Sequence, residues 1–278
     1  MCMDPVNQAG KPQSLKILFI GNSYSDDTIQ WAWQIATSEG LENVLVANLY
    51  RGGCTIEEHL SFLNRDSSPY VFRHSDSQGQ IISSADGEEG NHKIDDGLFY
   101  ADWDWIIFQQ GSRDSGLAER SAHLPLLVDY VKQRATSPHV RYAFNMTWAY
   151  AQKSLNPGFE NYGRDQNTMY QGILNAVKIH VLPNKDIELI IPNGTAVQNA
   201  RTSYLGDHLT RDDCDHMTYG LGRYIVGLTC ICALTGLNPT DISFAPEGLS
   251  EREIRVAKES VKNALANPFE VTNSIDLK

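Results

Sequence analysis

Residues 15–25 read LKILFIGNSYS, and this stretch decides the fold. Its first six residues form a short apolar run, which is typical of a strand buried on both faces. Residues 21–27 (GNSYSDD) have the composition of a turn and offer side chains that can cap a helix. Apolar residues at helical spacing follow in residues 28–38, and Gly40 is expected to end that helix. The stretch therefore predicts a buried strand, a tight turn and a helix.

The same alternation continues along the chain. Four more apolar runs are predicted as strands, at residues 43–49, 104–109, 140–146 and 187–191. Helices are expected at about residues 56–63, 124–134, 166–181, 194–204, 218–234 and 250–265. Strands that alternate with helices indicate a parallel sheet with crossover connections. We therefore predict an α/β fold, a three-layer α/β/α sandwich around a central, mostly parallel, five-stranded sheet.

One domain is expected, because a chain of 278 residues has the length of a single large domain. Residues 1–14 are polar and contain Gly and Pro, which predicts a flexible N-terminal tail before a single domain at 15–278. Residues 64–101 interrupt the alternation with Ser, Asp and Gly clusters around short β-like pieces. We interpret them as an insertion, such as a hairpin packed beside the sheet.

The composition argues against several functions. The chain has 23 Lys and Arg against 34 Asp and Glu, a net charge of −11 that repels phosphate backbones, so no nucleic-acid partner is expected. Five cysteines without a C-x-x-C pair argue against zinc-ribbon or thioredoxin chemistry. No apolar run approaches the roughly 20 residues that span a bilayer, so no transmembrane segment is expected. The compartment stays unknown, and a periplasmic or secreted location is expected only if a signal peptide has been removed.

A serine and a histidine are the main candidates for catalysis. Ser23 lies on the turn after the first strand, where ligands of such sheets bind. Serine needs a base, and His216 is the best candidate because Asp213, three residues earlier, can bond its imidazole and fix the tautomer. Alternatively, Ser23 caps a helix and His216 is a solvated loop histidine. The order Ser, Asp, His favours a catalytic triad of Ser23, Asp213 and His216.

Three short motifs together resemble the SGNH, or GDSL-like, hydrolases. Residues 17–25 (ILFIGNSYS) resemble the first motif of that family, an apolar strand followed by Gly-Asn/Asp-Ser. The Asp-Cys-Asp-His stretch at residues 213–216 is similar to the final Asp-x-x-His motif, and Arg-Gly-Gly-Cys-Thr at residues 51–55 resembles the second motif. The resemblance extends over residues 15–234, apart from the insertion. It implies the SGNH/flavodoxin-like fold and hydrolysis without a cofactor.

The resemblance also implies roles for individual residues. Ser23 is the expected nucleophile, His216 the base, and Asp213 the group that orients the base. The oxyanion hole is expected to contain the N–H of Ser23 and the N–H of Gly53, with Gly52 as the alternative. The resemblance suggests that the substrates are small acyl esters, often acetyl groups on carbohydrates.

The third motif departs from the family pattern. That motif is Gly-x-Asn-Asp, whose asparagine donates to the oxyanion, whereas residues 108–114 read FQQGSRD. Aligned on Gly111, the asparagine position is Arg113; aligned on the strand, it is Gln109 or Gln110. We favour Gln110 or Gln109 as the donor, because the glutamine amide is the nearer functional match. Losing one oxyanion donor typically lowers the rate by about 10² to 10³.

Other polar and aromatic residues have two interpretations each. Trp148 either belongs to the core or lines a sugar cleft beside Asn145, and Asn22 and Asn145 are further candidates for binding substrate. An acidic cluster could bind a divalent metal, but a solvated loop is favoured because zinc-like ligand spacing is missing, so no metal is expected. Its members are Asp207, His208, Asp212, Asp213, Asp215 and His216. Cys54 and Cys214 lie in loops near the same site, and no disulfide between them is predicted.

Two functions follow from these observations. The first is a serine esterase that hydrolyses small acyl esters, acetyl esters of carbohydrates above all, through a covalent acyl-enzyme. Its partner is a small-molecule or carbohydrate ester. The alternative is a carbohydrate-binding protein on the same scaffold with weak or no turnover, because the third-motif asparagine is missing. Fold resemblance alone does not decide between them.

Overall fold

The computed structural model describes residues 14–85, 87 and 89–277. The tail predicted at residues 1–14 lies, apart from Ser14, outside the described residues. The strands are β1 (Leu15–Gly21), β2 (Val44–Tyr50), β3 (Val71–Ser75), β4 (Ile81–Ser83), β5 (Trp105–Phe108), β6 (Arg141–Asn145) and β7 (Leu189–Ile191). The helices are α1 (Ser23–Ile29), α2 (Ala32–Ser38), α3 (Ile56–Asn64), α4 (Ile94–Phe99), α5 (Leu124–Lys132), α6 (Gln166–Ala176), α7 (Asn193–Arg201), α8 (Leu221–Thr235) and α9 (Glu251–Ala266).

These elements form one mostly parallel sheet flanked by helices, which confirms the predicted α/β fold. The strand order is β4-β3-β2-β1-β5-β6-β7. The central strand β1 pairs in parallel with β2 and β5, and its residues 17–20 are fully buried. Helices α1, α2, α7, α8 and α9 contact one another as one layer, and α3 packs on α5 in the other. The apolar run at residues 15–20 therefore forms the middle of the core.

The sheet has seven strands rather than the five predicted, because the inserted segment extends it. Strands β3 and β4 form an antiparallel hairpin, and β3 pairs antiparallel with β2. The insertion therefore does not pack beside the sheet, as expected, but continues its edge. Its strand β3 also supplies Arg73, which forms an ion pair with Asp26 and stacks 3.7 Å over the ring of Tyr50.

Two helical stretches differ in detail from their sequence predictions. The helix expected at residues 28–38 is split, since α1 already begins at Ser23 and α2 follows after a break. The earlier start has a clear cause: Asn22 is the N-cap, and its side-chain oxygen accepts from the N–H of Tyr24 at 3.0 Å. Ser23 thereby becomes the first residue of a helix. The helix expected at residues 166–181 ends at Ala176 and continues as a π-helical turn, Val177–Val181. None of the helices in the described residues is both long and apolar enough to cross a membrane.

A buried histidine makes the stability of the fold depend on pH. His59 of α3 is fully buried, and its Nδ1 lies 2.8 Å from the hydroxyl of Tyr70. Burial lowers the pKa of His59 from 6.5 to about 4. Between these values the unfolded chain binds a proton that the folded chain does not. The folded protein therefore has its full stability above pH 6.5, the pKa of the histidine in the unfolded chain. The free energy of unfolding decreases as the pH falls towards about 4, the pKa of His59 in the folded chain.

We expect this histidine to remove about 2 kcal/mol of stability between about pH 7 and pH 5. Urea denaturation of the wild type and of His59→Gln measures it, since glutamine can keep a hydrogen bond to Tyr70 but does not titrate. The variant should lose that part of the pH dependence. Parallel profiles for the two proteins would mean that His59 is not the group responsible.

Candidate active site

The structure brings Ser23, His216 and Asp213 into one hydrogen-bonded chain. Ser23 stands at the carboxyl end of β1 as the first residue of α1, and the other two lie in the loop between α7 and α8. The hydroxyl oxygen of Ser23 is 2.8 Å from Nε2 of His216. The Nδ1 of His216 is 2.9 Å from Oδ2 of Asp213. Ser23 and His216 are 193 positions apart in sequence. Their contact therefore depends on the tertiary fold and not on local structure.

The loop that carries the histidine is held in shape by its own carboxylate. Oδ1 of Asp213 accepts from the backbone N–H groups of Asp215, at 3.0 Å, and His216, at 2.9 Å. Cys214, between them, has a φ of 61° in the left-handed region. Burial alone would raise the pKa of Asp213, but the hydrogen bonds from these N–H groups and from the imidazole outweigh it and lower the pKa. Asp213 is therefore ionised at neutral pH and can support a charged imidazole.

A buried carboxylate joins the serine helix to the histidine loop. Asp27 lies four residues after Ser23, a spacing that puts both side chains on one face of α1. Its Oδ2 accepts from the N–H of Met217 at 2.8 Å, and its Oδ1 pairs with Arg223 of α8 at 2.7 Å. Burial raises the pKa of Asp27, although Arg223 and the Met217 N–H lower it in part. The sequence motifs do not single out Asp27, although its helical spacing from Ser23 is a signal that could have indicated it.

Trp148 is a buried residue that bonds to the loop carrying His216 and does not line a sugar cleft. Its side chain is fully buried, and its indole N–H donates to the backbone oxygen of Asp215 at 2.8 Å. The ring of Tyr24 stacks on it with centroids 4.1 Å apart, and the same Tyr24 ring meets the imidazole of His216 edge-on at 5.6 Å. Of the two interpretations of Trp148, the structure supports the core residue and not the substrate-binding one. Trp148 and Tyr24 instead limit where the imidazole can lie.

A chain of buried amides accounts for three residues assigned to the site from sequence. Asn22 donates to the backbone oxygen of Cys54 at 3.1 Å and accepts from Nε2 of Gln109 at 2.7 Å. Gln109 in turn accepts from Asn145 at 2.9 Å, and Asn145 accepts from Asn193 at 2.8 Å. These side chains are buried and do not line the cleft. The predictions that Asn22 and Asn145 bind substrate and that Gln109 is an oxyanion donor are thus corrected: the amides bond the strand ends to one another.

Gln110 is likewise committed to the fold. Its side-chain oxygen accepts from the N–H of Ile56 at 3.0 Å and from the N–H of Gly111 at 2.8 Å. Its amide nitrogen donates to the backbone oxygen of Arg120 at 2.7 Å. The prediction that Gln110 donates to the oxyanion is therefore corrected. The glutamine amides are the nearer chemical match, but their strand-end positions turn them into the interior.

Arg113 and the glycine loop face the serine instead. Gly52, Gly53 and Arg113 line the same cleft as Ser23. In the described part of the chain, neither the N–H of Ser23 nor that of Gly53 donates to another group. Gly53 has a φ of 59°, in the left-handed region that favours glycine. Two backbone N–H groups of cleft-lining residues are thus without a partner among the described residues.

We expect Gly53→Ala to lower kcat for ester hydrolysis by about 10²-fold, because a Cβ at this φ costs about 1–2 kcal/mol and relaxation turns the N–H away. Steady-state kinetics with p-nitrophenyl acetate measures the effect. Gly52 has no positive φ among the described glycines, so Gly52→Ala should cost less than about tenfold. The reverse ranking would assign the donor to Gly52.

The cleft that Ser23 and His216 line has a volume of about 560 Å³, and hydroxyl, amide and charged side chains surround it. Asp215 accepts from the hydroxyl of Ser154 at 2.7 Å and from the amide of Asn156 at 2.6 Å. Asp26, which also lines the cleft, forms its ion pair with Arg73. Burial raises the pKa of both carboxyl groups, although their partners lower it in part. The cleft therefore offers polar contacts rather than an apolar channel.

The acidic loop residues have partners of their own. Asp207 pairs with the buried Arg201 at 2.9 Å and accepts from the N–H of Gln152 at 2.6 Å. Within residues 14–85, 87 and 89–277, no group of three or more His, Cys, Asp or Glu side chains is arranged to hold a metal ion. Cys54 and Cys214 are both free thiols. Burial raises the pKa of Cys54 well above its usual range.

The overall architecture is that of the SGNH hydrolases. A protein from Slackia heliotrinireducens assigned to the SGNH hydrolases superposes with a TM-score of 0.51 at 16% identity, covering 80% of this chain and 99% of its own. The acetylxylan esterase Axe2 from Geobacillus stearothermophilus superposes with a TM-score of 0.51 at 14% identity, covering 79% and 94%. At these identities the likeness concerns the fold, which is a scaffold used by esterases.

The chain belongs to the DUF4886 family. Residues 16–264 match the family described as Domain of unknown function (DUF4886). A crystal structure of a DUF4886 family protein from Bacteroides uniformis superposes with a TM-score of 0.89 at 34% identity, covering 95% of this chain and 100% of its own. A search of curated proteins returned no match. This chain of the DUF4886 family thus has an SGNH-like fold.

Proposed function

We propose that this protein is a serine esterase that hydrolyses small acyl esters through a covalent acyl-enzyme. The observation that carries the proposal is the unbroken chain from Ser23 through His216 to Asp213, with its two contacts of 2.8 and 2.9 Å. A helix-capping serine and a solvated histidine would need no such contact. The arrangement has the parts of an activated nucleophile: a hydroxyl, a base within hydrogen-bonding reach, and a group that orients the base.

The reaction follows from these contacts in two steps. The oxygen of Ser23 attacks the ester carbonyl while its proton moves to Nε2 of His216, and Asp213 stabilises the imidazolium. The tetrahedral oxyanion lies against the N–H groups of Ser23 and Gly53. Its collapse releases the alcohol, which takes the proton from His216 and leaves an acyl group on Ser23. Water then attacks the acyl-enzyme while His216 takes its proton. The bond to the Ser23 oxygen breaks, His216 returns the proton to that oxygen, and the carboxylic acid is released.

The substrate we propose is an acetyl or similarly short acyl ester of a carbohydrate. The polar lining of the cleft supports a hydroxyl-rich alcohol, and few apolar groups are present to hold a long acyl chain. The acetylxylan esterase with the same fold provides a precedent on this scaffold. The substrate assignment rests on both observations together.

Steady-state hydrolysis of p-nitrophenyl acetate, butyrate and octanoate tests the proposal, followed by release of acetate from acetylated xylooligosaccharides. We expect the highest kcat/KM with the acetyl ester and a steady fall with chain length. Turnover of none of these esters, together with binding of the deacetylated oligosaccharide, would favour the carbohydrate-binding alternative. A preference for the octanoyl ester would retain the esterase but exclude the short-acyl assignment.

A further inference from the structure

The oxyanion site has a charged neighbour that backbone donors alone do not explain. Arg113 lines the cleft together with Ser23 and Gly53. A Cβ placed on Gly53 would lie 3.7 Å from Nη1 of Arg113. The guanidinium therefore lies against the same short loop that presents the Gly53 N–H. The amides of Gln109 and Gln110 point into the interior. Of the three third-motif candidates, Arg113 alone lines the cleft.

The arginine is held so that one nitrogen stays available. Its Nη2 pairs with Oε1 of Glu58 at 3.1 Å. Glu58 is itself fixed, since its other carboxylate oxygen accepts from the N–H of Thr55 at 2.8 Å in a capping box. Within the described part of the chain, Nη1 of Arg113 donates to no oxygen. The ion pair thus orients the planar group and leaves Nη1 free beside Gly53.

The backbone of Arg113 is also fixed. Its carbonyl oxygen accepts from the hydroxyl of Tyr162 at 2.9 Å. The Cβ of Arg113 packs on Gly158 so closely that a Cβ on that glycine would lie 2.5 Å away. Both ends of the side chain are therefore restrained, which lowers the entropy lost when the guanidinium makes a further bond.

We propose that Arg113 is a catalytic residue whose Nη1 donates a hydrogen bond to the oxyanion of the tetrahedral intermediate. The inference rests on the proposed serine-esterase function and adds a third, positively charged donor to the N–H groups of Ser23 and Gly53. A charge-assisted hydrogen bond is roughly twice as strong as a neutral one. The attraction of the guanidinium grows as negative charge develops and bound substrate displaces water from the cleft.

Kinetics of Arg113→Ala, Arg113→Lys and Arg120→Ala with p-nitrophenyl acetate test the inference. Arg120 is the matched control, because it is similarly exposed and also pairs with a glutamate of α3, Glu57, yet does not line the cleft. We expect Arg113→Ala to lower kcat by about 10²-fold with KM changed less than about threefold. Arg113→Lys should lose about tenfold, and Arg120→Ala should stay within about twofold of the wild type.

A chemical rescue separates a catalytic guanidinium from a structural one. Added guanidinium at low millimolar concentration should restore part of the kcat of Arg113→Ala and none of that of Ser23→Ala. A kcat of Arg113→Ala within about threefold of an active wild type would overturn the inference and leave the esterase proposal intact. A raised KM at unchanged kcat would also overturn it and would make Arg113 a substrate-binding group. An inactive wild type that a fluorophosphonate does not label would instead reject the proposed function itself.

Discussion

Ser23→Ala is expected to lower kcat for p-nitrophenyl acetate by about 10⁴-fold or more, to the level left by binding and oxyanion contacts alone. The physical reason is that the acyl-enzyme cannot form without the hydroxyl that lies 2.8 Å from His216. The double variant Ser23→Ala, His216→Ala should be no slower than either single variant, because the two residues act as a unit. Initial rates at saturating substrate measure both effects.

Ser25→Ala is the control for this experiment. Ser25 lies two residues further along α1, is buried, and has no partner for its hydroxyl in the described part of the chain. Its removal should leave kcat close to that of the wild type. Equal activity of Ser23→Ala and the wild type would contradict a serine mechanism, provided that thermal unfolding shows both proteins folded.

Asp213→Asn is expected to lower kcat by about 10³ to 10⁴-fold with little change in KM. An asparagine amide can donate to Nδ1 of His216 and thereby stabilise the tautomer in which Nε2 carries the proton. That tautomer cannot accept the proton of Ser23. The asparagine side chain also lacks the negative charge with which Asp213 stabilises the imidazolium when Ser23 attacks. Hydrogen bonds within the loop lower the pKa of Asp213, so the wild-type carboxylate is ionised at neutral pH. The loss of activity in the variant is therefore expected across the neutral pH range.

Asp212→Asn separates the loss of a contact from the loss of a charge. Asp212 is the exposed neighbour of Asp213 and does not line the cleft. Both substitutions remove one negative charge from the same loop. We expect Asp212→Asn to stay within about threefold of the wild type. Similar losses in the two variants would show that the field of the loop, rather than the bond to His216, supports catalysis.

The parallel core was predictable because its strands are buried on both faces. Residues 17–20 are all apolar, and the structure places them at the centre of the sheet. The hairpin of β3 and β4 was not assigned to the sheet, because its strands are short and carry His and Arg. Pairing with the edge of β2 depends on tertiary contacts such as Arg73 with Asp26. Short polar strands leave little periodic signal.

The predicted site residues divide by how local their signal is. Ser23, Asp213 and His216 belong to short motifs at the ends of elements, and the structure brings all three together. The donor of the third motif depended on which of three neighbouring side chains faces outward. Where a strand ends in a turn, the sequence pattern does not indicate which side chain points out of the fold. The same holds for Trp148, whose burial is decided by stacking on Tyr24.

Mass spectrometry of the protein after treatment with a fluorophosphonate tests the central claim most directly. The reagent reacts with an activated serine oxygen, which displaces fluoride and leaves a stable phosphonate ester. We predict one adduct per chain, located by peptide mapping on Ser23, and a strongly slowed reaction in His216→Ala. Labelling of another residue, or none in folded wild-type protein, would contradict an activated serine at the end of β1.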